Sequence, residues 1–163
     1  LIKTHRGKMR LNIQSSFDER TKKSMQTWIQ LVRAFQKIRA HELVYINQNA
    51  LTMNQFEVLE ALYHRGDMPV STITKLISST PGNVTVVIKN LRRDGFVEIN
   101  SGKDDKRERI VGITPLGREK IGAMFERHSQ NLKSCFEALS DEEIDTLFAS
   151  LRKIYKTKLK DMQ

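Results

Sequence analysis

The chain of 163 residues has a single cysteine, Cys135, three prolines, and no apolar run approaching the ~20 residues of a membrane span. One thiol excludes an internal disulfide framework. The four histidines, His5, His41, His64 and His128, are scattered, with no Cys-x-x-Cys or His-x-x-x-His spacing, so no metal site is expected. A phosphate-cradling glycine run, a nucleophile in a recognisable setting and a catalytic pair of acids are all missing, so neither an enzyme nor a cofactor is expected. No segment combines a basic start, an apolar core and a small-residue cleavage site. With the lone thiol, this sets the expectation of a reducing, cytoplasmic setting without membrane attachment.

Acidic residues are also scarce. Lys and Arg number 28 against 19 Asp and Glu, a net charge of +9, of which +5 lies in residues 1–68, +3 in 69–113 and +1 in 114–163. Such a balance attracts polyanions, and it also occurs on proteins that are only basic and soluble. With 39% hydrophobic and 29% charged residues, the composition is that of a globular chain, of a length suited to one domain.

Periodicity then orders the elements. Residues 1–18 carry Lys3, Arg6, Lys8 and Arg10 with little apolar pattern and read as a basic arm or as tag-derived sequence, with Met9 a candidate natural start. Trp28, Leu31, Val32, Phe35, Ile38, Tyr45 and Ile46 stripe a long first helix. Thr52 with Gln55 has capping-box spacing and opens a second helix bearing Phe56, Leu59 and Leu62, which ends at Gly66-Asp67. Pro69 blocks continuation, and Ser71 is the expected cap of a short third helix with Ile73, Leu76 and Ile77. Thr80-Pro81 starts a fourth, faced inward by Val84, Ile88 and Leu91 and ended by Gly95. Val97 and Ile99 alternate with polar residues, and after a charged loop at 101–108 the run 110–113 reads as the second strand of a hairpin. Thr114-Pro115 opens a long helix with Ile121, Phe125, His128, Leu132, Cys135, Phe136 and Leu139 on one side. Ser140 with Glu143 caps the last, striped by Ile144, Leu147, Phe148, Leu151, Ile154, Tyr155 and Leu159.

Two short helices joined by a tight turn, followed by a hairpin with a charged tip, are the parts of a winged helix-turn-helix. The fourth helix turns Pro81, Gly82, Asn83, Thr85, Val86, Lys89, Asn90 and Arg93 outward. Small hydrogen-bonding residues at its start and cations further on suit entry into the major groove; the same residues also make an ordinary solvated face. In the loop, Arg107 is placed to enter a narrow minor groove with Asp105 holding its guanidinium, and mixed charges at a turn are also common solubilising residues.

The segments TPGNVTVVIKNLRRDGFVEI at 80–99 and DDKRERIVGITPLGREKI at 104–121 resemble the recognition helix and wing of MarR-family transcriptional regulators. The first helix and LSDEEIDTLFASLRKI at 139–154 are similar too, so the resemblance covers about residues 22–160, and the wing's Asp105-Lys106-Arg107 is its most specific motif. It implies a fold that is mainly α with a small β-hairpin wing: a winged helix-turn-helix lobe (49–116) with long N-terminal (19–48) and C-terminal (117–163) dimerisation helices. It implies a homodimeric repressor of nearby genes, bound to a pseudo-palindromic double-stranded DNA operator in a bacterial or archaeal cytoplasm. Asn83, Thr85 and Lys89 would face DNA, Arg107 would enter the minor groove and Asp105 would orient it.

Small aromatic or amphipathic effectors bind relatives between the dimer-forming helices and the DNA-reading lobe. By position the candidates here are Trp28, Phe35, Phe56, Tyr63 and His64, each of which also suits plain core packing. Three features depart from the family pattern. Val86 stands where relatives often carry arginine or another polar residue and is suited to a thymine methyl. Ser79 replaces a residue more often apolar, which loosens the turn. The early cysteine of peroxide-sensing relatives is absent, leaving Cys135 as the one thiol for an oxidation response against its reading as a small buried hydrophobe. The alternative function is a winged-helix protein-interaction module without sequence-specific DNA binding.

Overall fold

The computed structural model describes residues 17–77, 79–102, 106 and 108–158. The basic arm with Met9, Asp105 and Arg107 of the wing, and Leu159 lie outside the described residues. The chain divides into two compact units, with the boundary between His41 and Glu42 inside the first helix.

Helix α1 runs Glu19–Gln48. Asp18 caps it, accepting from the Thr21 amide (3.0 Å) and hydroxyl (2.6 Å), and these bonds hold its carboxyl below the usual carboxylate range. Within the first unit, Met25, Trp28 and Phe35 are exposed, with the Arg39 guanidinium 5.8 Å from the centre of the Phe35 ring.

The second unit begins with the last turns of α1. Helices α2 (Met53–Arg65), α3 (Val70–Leu76) and α4 (Pro81–Arg93) follow, with a two-residue strand β1 (Met68–Pro69) before α3. Strands β2 (Val97–Ser101) and β3 (Arg109–Ile113) form the hairpin, and α5 (Pro115–Cys135) and α6 (Asp141–Lys156) complete the unit. The sheet is antiparallel in the order β1-β3-β2, with Val97 opposite Ile113 and Ser101 opposite Arg109.

Local chemistry explains most boundaries. The expected capping boxes form at Thr52/Gln55 and Ser140/Glu143, and Thr80 and Thr114 each cap a helix whose first residue is proline. The core of Ile46, Phe56, Leu59, Leu62, Ile73, Val84, Leu91, Val111 and Ile121 joins α1's end, α2, α3, α4, β3 and α5. Each such side chain contributes about 1.5–3 kcal/mol when fully buried.

Three expectations are corrected. Ser71 does not cap α3: the helix begins at Val70 with Pro69 as its cap residue and no side-chain cap, because β1 feeds straight into it. The wing hairpin gains β1 as a third strand, Met68 opposite Val111 and Pro69 opposite Ile110; proline is tolerated there because β1 is an edge strand. Helix α5 ends at Cys135, so Phe136 and Leu139 belong to the turn before α6, where the Leu139 amide donates to the Phe136 carbonyl (2.9 Å).

Candidate nucleic-acid interface

Helix α4 is amphipathic in the way its sequence predicts. Val84, Val87, Ile88 and Leu91 are buried, whereas Pro81, Gly82, Asn83, Thr85, Val86, Lys89 and Arg93 are exposed and Asn90 is half-buried. The burial of one face against α2 and α3 fixes which side chains are left for a partner.

Hydrogen bonds on that outer face orient the polar groups. The Thr85 hydroxyl donates to the Pro81 carbonyl (2.9 Å), so the oxygen it presents outward is an acceptor. Asn83 donates one side-chain N–H to Ser79 Oγ (2.7 Å), leaving its amide oxygen as an acceptor and its second N–H as a donor. Ser79, the polar departure in the turn, thereby anchors Asn83. Acceptors here complement the amino groups of adenine and cytosine in a major groove. At the other end Arg93 donates to Asp94 Oδ1 (2.9 Å), and the hydrogen bond and charge of Asp94 raise the Arg93 pKa above its ordinary value. Lys89 is exposed between them.

An open groove of about 350 Å³ borders this face, lined by Thr52, Met53, Asn54, Gln55, Asn83, Val86, Val87 and Asn90. The start of α2 and the outer side of α4 therefore form one surface. Sequence reading missed this partnership: the capping box locates a helix start, but its place beside α4 comes from the packing of α2 on α4.

The wing's stem is closed by the Gly102 amide donating to the Glu108 carbonyl (2.9 Å), with Glu98, Asn100, Lys106 and Arg109 exposed. Gly95, in the left-handed region at φ 77°, carries the chain from α4 toward β2. Thr114 then ties the wing to α5, its hydroxyl donating to the Gly95 carbonyl (2.7 Å) and accepting from the Gly117 amide (3.0 Å).

The candidate effector residues are placed as follows. Trp28 and Phe35 are exposed in the first unit. In the second, Phe56 is a core residue, Tyr63 is half-buried and His64 exposed. Tyr63 and His64 meet edge-on at 5.1 Å, and both contact Phe125 of α5, at 6.3 and 4.8 Å between ring centres. Arg118 lies 5.4 Å from the centre of the Tyr63 ring. Phe56 contacts His128 at 4.8 Å. Phe125 and His128, which the sequence places on one helix stripe, with His128 read as an interface or core histidine whose protonation could couple to pH, thus join the same cluster. Cys135 is half-buried at the last position of α5. Among the described residues no group of three or more His, Cys, Asp or Glu side chains is placed to hold a metal, and no helix is long and apolar enough to cross a membrane.

The MarR family profile matches residues 51–108, from the start of α2 into the wing. YkoM of Bacillus subtilis strain 168, an uncharacterized HTH-type transcriptional regulator, is 30% identical over 136 residues, covering 83% of this chain and 88% of that protein. MhqR, an HTH-type transcriptional regulator of the same organism, is 29% identical over 134 residues, covering 82% and 92%. Among solved structures, BpsR of Bordetella bronchiseptica superposes with a TM-score of 0.71 at 28% identity, over 78% of this chain and 91% of that one; its structure addresses regulation of its DNA binding by 6-hydroxynicotinic acid. Through these relatives and the helix-turn-helix and wing just described, the chain belongs to the MarR family of winged-helix, DNA-binding transcriptional regulators.

Proposed function

We propose that this protein is a homodimeric repressor of nearby genes that binds a pseudo-palindromic operator and is released by a small aromatic or amphipathic ligand or by oxidation. Two copies of α4 enter successive major grooves about one helical turn, ~10 bp, apart. Asn83 and Thr85 read base edges, Pro81 and Gly82 allow close approach, Val86 packs on a thymine methyl, and Lys89 and Arg93 meet phosphates. Arg107, oriented by Asp105, enters the minor groove.

The observation that carries this reading is the outer face of α4: outward-turned acceptors near its start and cations toward its end, on a helix whose other face is locked in the core. Dimerisation is supported by α6, which buries no residue and exposes Phe148, Ile154 and Tyr155 along its stripe. Effector release is supported by the ring cluster of Tyr63, His64 and Phe125 and by the regulation of BpsR by 6-hydroxynicotinic acid. Cys135 is the candidate site for oxidation. Such an effector acts by its differential affinity for the DNA-competent state and the other.

Selection from a random duplex library tests the reading. Recovery of a pseudo-palindrome with half-sites one turn apart, bound by two copies, is the expected result. Recovery of no preferred sequence, with weak binding throughout, would support the protein-interaction alternative.

A further inference from the structure

Below the ring cluster, His128 of α5 is 8% exposed and is gripped from two other helices. Its Nδ1 is hydrogen-bonded to Glu42 Oε2 in the last turns of α1, itself only 4% exposed, and its Nε2 lies 3.5 Å from Glu60 Oε1 on α2. The rings of Phe56 (α2) and Phe125 (α5) pack against the imidazole at 4.8 and 6.1 Å, and His64 lies across Phe125. Among the described residues, the carboxylates in reach of its two ring nitrogens are Glu42 from α1 and Glu60 from α2, while Phe125 packs on it from its own helix. A neutral imidazole has one N–H and cannot donate to both carboxylates; the imidazolium donates to both. The Glu42 carboxylate is buried and needs a cation beside it, whereas Glu60, partly exposed, remains in reach of solvent when it is released.

We propose that His128 is a positioning residue for the DNA-reading lobe, a proton-operated tie that holds α2 to α5 and to the end of α1 when the imidazole is charged and releases Glu60 when it is not. Because α4 packs on α2, the state of the tie sets the placement of the recognition helix and makes operator affinity depend on pH. The coupling to DNA rests on the reading of α4 given above; the tie itself does not. The hydrogen bond to Glu60, and then that to Glu42 and the charges of both, raise the His128 pKa above its ordinary value, against burial, which lowers it. A raised folded-state value means that the tie's stabilisation is full below the unfolded value near 6.5 and is lost as pH rises through the folded value.

Thermal melts of the DNA-free protein across about pH 6 to 9 decide the tie. Wild type should melt roughly 2–4 °C above His128→Gln at the acid end, and the gap should close toward the alkaline end. Glu60→Gln, which keeps the shape at a partly exposed position, should move the closing of the gap to lower pH. A gap that is constant with pH, or one that Glu60→Gln leaves in place, overturns the tie. On the selected operator, wild-type affinity should change by about threefold or more over the same range while His128→Gln stays flat; a flat wild type overturns the coupling. If no operator is bound at any pH, the DNA-binding reading and with it the coupling fail, while the melts still decide the tie.

Discussion

Thr85 illustrates how a short-range bond can set what a side chain offers to a partner. With its hydroxyl proton committed to the Pro81 carbonyl, it can only accept from outside. Thr85→Val keeps the shape and removes the acceptor, so it should weaken binding to the selected operator by about 1–3 kcal/mol and leave binding to unrelated duplexes unchanged. Lys89 is proposed to meet phosphate, so Lys89→Ala should weaken binding to all duplexes alike and lower the salt slope by about 1. Arg107→Ala should also reduce affinity and soften the salt dependence, provided that its guanidinium lies in the minor groove. Competition binding against specific and random duplexes separates the three. Ser79→Ala removes the partner of Asn83 and tests whether that amide needs its anchor.

At the scale of elements, the junction between wing and α5 is closely packed around Gly117. A methyl group at Gly117 would sit 2.1 Å from the Phe96 carbonyl oxygen, a backbone atom that cannot turn aside, so Gly117→Ala must displace the start of α5. A loss of about 1–3 kcal/mol is expected in denaturant unfolding. Thr114→Ala, which removes both a helix cap and the bond to Gly95, should cost about 1–2 kcal/mol. Helix starts were legible in the sequence where a cap residue announces them, as at Thr52, Thr80, Thr114 and Ser140. Strand β1 was not, because two residues show no alternation and their pairing with Ile110 and Val111 spans more than 40 positions. The same holds for the carboxylates around His128: Glu42 and Glu60 look like solvated charges in a helix sequence, and only the packing of α2 on α5 and the path of α1's last turns bring them to one imidazole. The α4 face was legible because one helix carries it. The groove it shares with α2 was not, because it takes two helices to form.

For the whole molecule, the large apolar side chains left exposed among the described residues are concentrated on α1 and α6. Trp28, Phe35 and Val44 on the first, and Phe148, Ile154 and Tyr155 on the last, are each more than half exposed, which supports the proposal that these helices meet a second copy. The double variant Phe148→Glu with Ile154→Glu should sediment as a monomer with an intact helical signal. Losing the second binding lobe, it should bind the operator roughly a hundredfold more weakly. A variant that remains dimeric would place the interface elsewhere. Whether the outer face of α4 reads DNA is decided by the salt dependence of affinity for the selected operator, compared between wild type and Lys89→Ala. A steep wild-type slope that becomes shallower by about 1 in the variant is expected; a slope near zero, or identical slopes and affinities for the two proteins, would overturn the reading.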